Sequence, residues 1–230
     1  MIRKIGLVIV LTLVMMLTGC QVHEETPTSP VETEKQDTDN LQTPAKDETI
    51  LIAYFTWADN TQVANPDEID VDASTSASVL APGNAAMLAN WIQEKTKGTT
   101  FSIQVEDRYS SDYDACLNRA SDEKAQNARP ALISKVENID QYDTIFLGYP
   151  NWWYSCPMAV LSFIEEHDLS GKHIILFCTH GTGGLADSVN TIKDALPEDC
   201  NVNDHVLSVN REEVSNAKSD VLAWLHEIGY

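Results

Sequence analysis

Two adjacent tryptophans and a tyrosine, Trp152, Trp153 and Tyr154, follow an apolar run at residues 144–147 through a Pro150-Asn151 turn. Large flat rings gain most when covered, so this trio either closes a hydrophobic end of the domain or faces a planar ligand. A second group, Thr56, Trp57 and Thr61, follows the run Ile50-Leu51-Ile52-Ala53-Tyr54-Phe55. Its hydroxyls, with the free N–H groups of a helix start, suit an anion. No Lys or Arg lies in this stretch, so the capture would be dipolar and not ionic. A third group, Thr179-His180-Gly181-Thr182-Gly183-Gly184, follows the run at 173–178, and its glycines permit close approach of backbone to a ligand. His180 could polarise a ligand edge or move a proton, but a loop histidine more often makes a structural hydrogen bond. No Gly-x-Ser-x-Gly elbow, Walker sequence, CxxC pair or Cys/His ligand spacing is present, so no metal site is expected.

Each group must be carried by a strand. The runs at 50–55, 144–147 and 173–178 are continuously apolar, as in parallel strands buried on both faces. Residues 101–105 alternate strictly, which predicts an edge strand with one wet face. A weaker strand is expected at 205–209. Helices are expected at 84–97, started by Pro82-Gly83-Asn84 and stopped by Gly98, and at 111–127, 130–136, 158–167, about 185–196 and 214–228. Pro157 suits the opening of the helix at 158–167, since a helix's first N–H has no intrahelical partner. Alternating β and α elements imply a parallel sheet covered on both faces, with all three groups at the carboxyl ends of strands, where open α/β sheets bind ligands.

Taken together and in this order, Ala53-Tyr54-Phe55-Thr56-Trp57, Gly148-Tyr149-Pro150-Asn151-Trp152-Trp153 and Cys178-Thr179-His180-Gly181-Thr182-Gly183-Gly184 resemble the flavodoxin family, specifically its short lipoprotein-type branch. The resemblance covers residues 49 to 228. It implies an α/β, flavodoxin-like, doubly wound five-stranded parallel sheet of order 2-1-3-4-5 and FMN as cofactor. By resemblance the first loop holds the FMN phosphate. The family continues from its first strand directly into a helix through Thr-Gly-Asn-Thr, whereas here Ala58-Asp59-Asn60 replaces part of that pattern and residues 62–81 intervene. A carboxylate such as Asp59 would repel a phosphate dianion. The phosphate loop is therefore expected to be split, Thr56 and Trp57 on one side and Gly83, Asn84 and Ala85 on the other, with Asp59 turned away. The acidic insertion would bulge outward as a lid or docking surface. The second loop (Pro150, Asn151, Trp152, Trp153, Tyr154) would stack on the flavin ring, Trp152 or Trp153 being its partner. Tyr154 stands where relatives often carry a Gly, and positive φ there costs a side-chain-bearing residue energy. The third loop (Thr179, His180, Gly181, Gly184) would line the pyrimidine edge.

The whole chain has 230 residues and a formal net charge of −20. That balance argues against nucleic acid, which calls for a basic footprint; it permits a basic protein partner or serves solubility. Arg3 and Lys4 precede an apolar run at 5–17 that ends in Leu17-Thr18-Gly19-Cys20. These are signal-peptide proportions, and the ending resembles a bacterial lipobox, so residues 1–20 are expected to be a lipoprotein signal with Cys20 lipidated. Residues 21–48 are polar, acidic and nearly free of large apolar side chains, as in a disordered tether, with a reach of roughly 30 Å. The expected product is a domain over 49–230 held at the extracytoplasmic face of a bacterial membrane by its lipid anchor. It would carry electrons between FMN and an unidentified redox partner protein or small acceptor. The alternatives are an FMN-dependent reductase of a quinone or other small acceptor, and a flavodoxin-fold binding module without flavin. Beyond Cys20 four cysteines remain, and a Cys116–Cys156 disulfide is one expectation, free thiols the other.

Overall fold

The computed structural model describes residues 48–69, 72–73 and 78–230. The signal sequence, Cys20 and nearly all of the tether lie outside the described residues. Glu48, at the tether's end, accepts hydrogen bonds from the Thr144 hydroxyl and, at 3.1 Å, the Tyr230 hydroxyl.

The chain runs β1 (Ile50–Tyr54), α1 (Asn84–Thr96), β2 (Thr99–Ser102), α2 (Tyr113–Ala125), β3 (Thr144–Pro150) and α3 (Met158–Glu166). It continues with β4 (His173–His180), α4 (Ser188–Ala195), β5 (Asn201–Val202), β6 (Leu207–Asn210) and α5 (Lys218–Glu227). All named strands pair in parallel, in the order β2-β1-β3-β4-β5, with β6 also on β4. The expected order is thus observed, with one strand added. The three apolar runs are the central strands because they have no wet face: β3 and β4 are buried along nearly their whole length. On one face Leu51, Ala53, Ile145, Leu147, Ile174 and Leu176 pack with Phe163 of α3 and Ile192 of α4. On the other, Ile52, Phe146, Ile175 and Phe177 pack with Leu88 and Ile92 of α1 and Val221 and Leu225 of α5. Gly148 lets the Phe177 ring lie against β3, since a Cβ there would be 2.1 Å from ring carbons.

Four expectations are corrected. No helix forms at 130–136; Leu132 bridges antiparallel to Val105, and the Glu106 and Ile133 N–H groups donate to Ala131 and Gln104 carbonyls. The Ala131 carbonyl, which a helix would turn toward the N–H four residues on, is taken by the backbone beyond β2 instead. The edge strand ends at Ser102 although Ile103 and Val105 remain buried. The single last strand is replaced by two, because Asn203 caps a turn in mid-course: its side-chain oxygen accepts from the His205 N–H, an arrangement that competes with a ladder. Helix α1 ends with Lys97 in the left-handed conformation (φ 62°), and Gly98 instead serves close packing against Ile50.

Candidate functional site

The carboxyl ends of β1, β3, β4 and β6 surround one cavity of about 270 Å³. At its first-loop end, Thr56 and Trp57 line the floor while only 2% and 1% exposed. The Trp57 indole N–H donates to the Ser110 carbonyl at 3.0 Å, so its ring belongs to the core. The following turn is fixed by Asn60, fully buried, whose amide donates to the Thr56 and Ile103 carbonyls and accepts from the Val105 N–H. Asp59 lies outside the cavity lining, its carboxylate accepting from the Ser102 hydroxyl at 2.6 Å. Helix α1 begins at Asn84, and its entry residue Gly83 has φ 76°. A Cβ on Gly83 would be 2.1 Å from Thr56 Oγ1; only a residue without one lets the helix start approach Thr56. Asn84 and Ala85 line the cavity beside Thr56. So does Ser78, whose hydroxyl accepts from the Asn84 N–H at 2.7 Å. The insertion does not simply bulge outward: Ala73 and Val79 are fully buried in the core.

The second loop turns back at Trp153 and Tyr154, with φ of 53° and 61°. Trp152 and Ser155 exchange both backbone hydrogen bonds across them. Two successive positive φ values inside a two-residue connection are the type I′ geometry normally given to Asn and Gly. The cost is offset by anchors. The Trp153 indole donates to the Leu117 carbonyl (2.8 Å), Lys124 Nζ donates to the Trp153 carbonyl (2.6 Å), and the Asp187 N–H donates to the Tyr154 carbonyl (3.2 Å). Trp152 is held edge-on by Phe55 and Tyr109, each at 5.3 Å between centroids, and by Trp57 at 6.5 Å. Trp153 and Tyr154 stand at the rim, 38% and 64% exposed. The Tyr154 ring lies over Gly183, 3.3 Å from where a Cβ would be.

In the third loop Asn151 ties the second and third together, its N–H donating to Thr179 and its side chain to Gly184. His180 Nδ1 bonds the Gly181 carbonyl at 2.7 Å, the structural hydrogen bond expected of a loop histidine. Thr179, His180, Gly181, Pro150 and Asn151 line the cavity together with the three aromatics. Gly83 and Gly184 do not line it. Sequence reasoning missed Ser78, Arg211 and the wall contributed by α2, where Tyr113, Cys116, Leu117 and Ala120 face the cavity. Arg211 follows β6, donates its N–H to the His180 carbonyl (2.8 Å), and lays its guanidinium across Gly181. It could have been found by extending the strand-end rule to the last strand.

Cysteines 116, 156, 178 and 200 are all free thiols, which overturns the Cys116–Cys156 bridge. Burial pushes the Cys116 thiol up to about 12, against a smaller opposing pull from Arg119, and pushes Cys156 to about 12 as well. A thiol so raised is not a nucleophile at neutral pH. No group of three or more metal-ligating side chains occurs among the described residues. The cavity thus offers hydroxyls and helix N–H groups at one end, and an aromatic and glycine-lined slot at the other. Such a lining can hold a flat ring bearing an anionic tail.

Among solved structures, the chain is similar to a candidate flavoprotein of Bacteroides eggerthii DSM 20697, at 28% identity and a TM-score of 0.59 over 79% of this chain and 98% of that one. It is similar to a second from Bacteroides uniformis ATCC 8492, at 26% identity and 0.57 over 79% and 99%. A flavoprotein in complex with FMN from Lactobacillus acidophilus NCFM shares the fold, at 17% identity and 0.52 over 75% and 99%. No curated protein matches the chain. A family model described as Flavodoxin matches residues 71–228, well over half the sequence and most of the sheet just described, and the chain therefore belongs to the flavodoxin family.

Proposed function

We propose that the protein binds FMN in this cavity and uses it to transfer electrons, while a lipid on Cys20 holds it at the outer face of a bacterial cytoplasmic membrane. The observation that carries the cofactor is the convergence of Thr56, Ser78, Asn84 and Ala85 on the same cavity as the rim aromatics and the glycine loop. The fit is chemical as well as spatial. Gly83 has no room for a side chain, so the start of α1 comes close enough to Thr56 for both to reach one phosphate. The FMN complex of the Lactobacillus acidophilus flavoprotein, which has this fold, supports the same choice. Bound FMN supplies the redox chemistry, and this chain supplies the hydroxyls and amides for the phosphate, the rings that exclude water, and the groups that set the potential.

A second reading is an FMN-dependent reductase of a quinone or other small acceptor. Trp153 and Tyr154, exposed at the cavity rim, offer a flat apolar surface to such a molecule. The deciding measurement is the visible spectrum of the full chain, purified in detergent without added cofactor. Flavin absorption bands that release FMN on denaturation are expected. A colourless protein that does not quench added FMN would leave only a binding module of this fold. Oxidation of a nicotinamide nucleotide with reduction of a quinone, by the purified protein alone, would select the reductase.

A further inference from the structure

Among the described residues lining the cavity, Arg211 alone carries a formal charge. The chain has 35 acidic and 15 basic side chains, yet among the described residues the lining holds one guanidinium and no carboxylate. Its position is fixed from both sides. Asn210 pairs with His180 at the end of the β4–β6 ladder, and the Arg211 N–H extends that ladder to the His180 carbonyl. The guanidinium then crosses Gly181, with Nη1 2.9 Å from where a Cβ would sit. Gly181 thus leaves the guanidinium room beside the loop that a side chain would occupy. This is not the phosphate end: β4 lies two strands from β1, about 10 Å at the usual spacing, and the Thr56–Asn84 cluster belongs to β1 and α1.

We infer that Arg211 sets the reduction potential of the site by binding the N1–C2 oxygen edge of FMN more tightly when the flavin is reduced; this rests on the FMN reading above. The chemistry that makes the site selective is general to flavins. The oxidised ring is neutral, and two electrons from the redox partner with one proton at N5 give a monoanion whose charge is shared by N1 and the C2 oxygen. A guanidinium beside that edge gains a charge-assisted, forked contact in the reduced state and only a neutral one in the oxidised state. The resulting potential is higher than the same cavity would give without the cation, which suits a site that accepts electron pairs.

The test compares the full chain with Arg211→Met, and with Arg211→Gln should the first not fold. FMN affinity is measured by fluorescence quenching in the oxidised state, and the midpoint potential by dithionite titration against indicator dyes. The variant is expected to bind oxidised FMN within about threefold of the parent while losing about tenfold in relative affinity for the reduced form. That lowers the two-electron midpoint by roughly 30 mV. Arg211→Lys should recover part of the shift. An unchanged midpoint, or an equal loss of both redox states, overturns the inference and leaves FMN binding intact. Failure of the parent itself to bind FMN overturns the cofactor reading instead.

Discussion

A methyl placed on Gly148 would lie 2.1 Å from the Phe177 ring, and neither residue has solvent on any side to yield into. Gly148→Ala is expected to destabilise the protein by about 1–3 kcal/mol, the usual cost of overpacking. The measurement is the urea midpoint, with an unchanged slope showing that the loss is one of native packing. The paired tryptophans divide their duties. Trp152, braced edge-on by three rings, is a structural wall, so Trp152→Ala should approach the ~3–5 kcal/mol of a buried aromatic deletion, lessened by its partial exposure. Trp153→Ala removes a rim ring and should instead weaken FMN binding by roughly 1–3 kcal/mol, the range found for bases stacked on aromatic side chains. Thermal melts and FMN titrations of both variants separate the two roles; identical profiles would contradict the division.

At the scale of elements, the long apolar runs were readable because a strand buried on both faces can hardly be written otherwise, and β1, β3 and β4 fell where residues 50–55, 144–147 and 173–178 placed them. The start of α1 at Asn84 was readable from Pro82-Gly83-Asn84. What could not be read depended on partners distant in sequence. The stretch after Pro130 looked helical until Val105 and Gln104 claimed its backbone. Ser78 carries no local signature and joins the site through its hydrogen bond from the Asn84 N–H, whereas Arg211 is marked only by its place after the last strand and reaches the site because β6 lies beside β4. Asn60 was legible as part of an altered phosphate motif but not as what it is, a buried clasp between the first turn and the backbone beyond β2. Asn60→Ala would strand two carbonyls and the Val105 N–H, at about 1–3 kcal/mol for each buried group left unpaired. Chemical denaturation should show a loss larger than the one seen for a single surface hydrogen bond, together with weaker FMN binding as Thr56 loosens.

For the whole molecule, the net charge of −20 contrasts with a cavity whose described lining carries Arg211 and no carboxylate, an arrangement that would draw a small anion in locally while the bulk charge repels it. The proposed attachment through Cys20 gives a test at this scale. Cys20→Ser should move the protein from the membrane to the soluble fraction after signal processing, since the acyl chains that would hold it there are lost; equal membrane retention would exclude the lipid anchor. The break between β5 and β6 has a further consequence. β5 pairs with His173 and Ile174, β6 with Phe177 to His180, and no ladder joins the two halves. An edge divided in this way can open one half at a time. In native-state hydrogen–deuterium exchange, the amides of β6 and Arg211 should behave as a cooperative unit separate from Val202, and FMN should slow exchange in that unit while leaving Val202 unchanged.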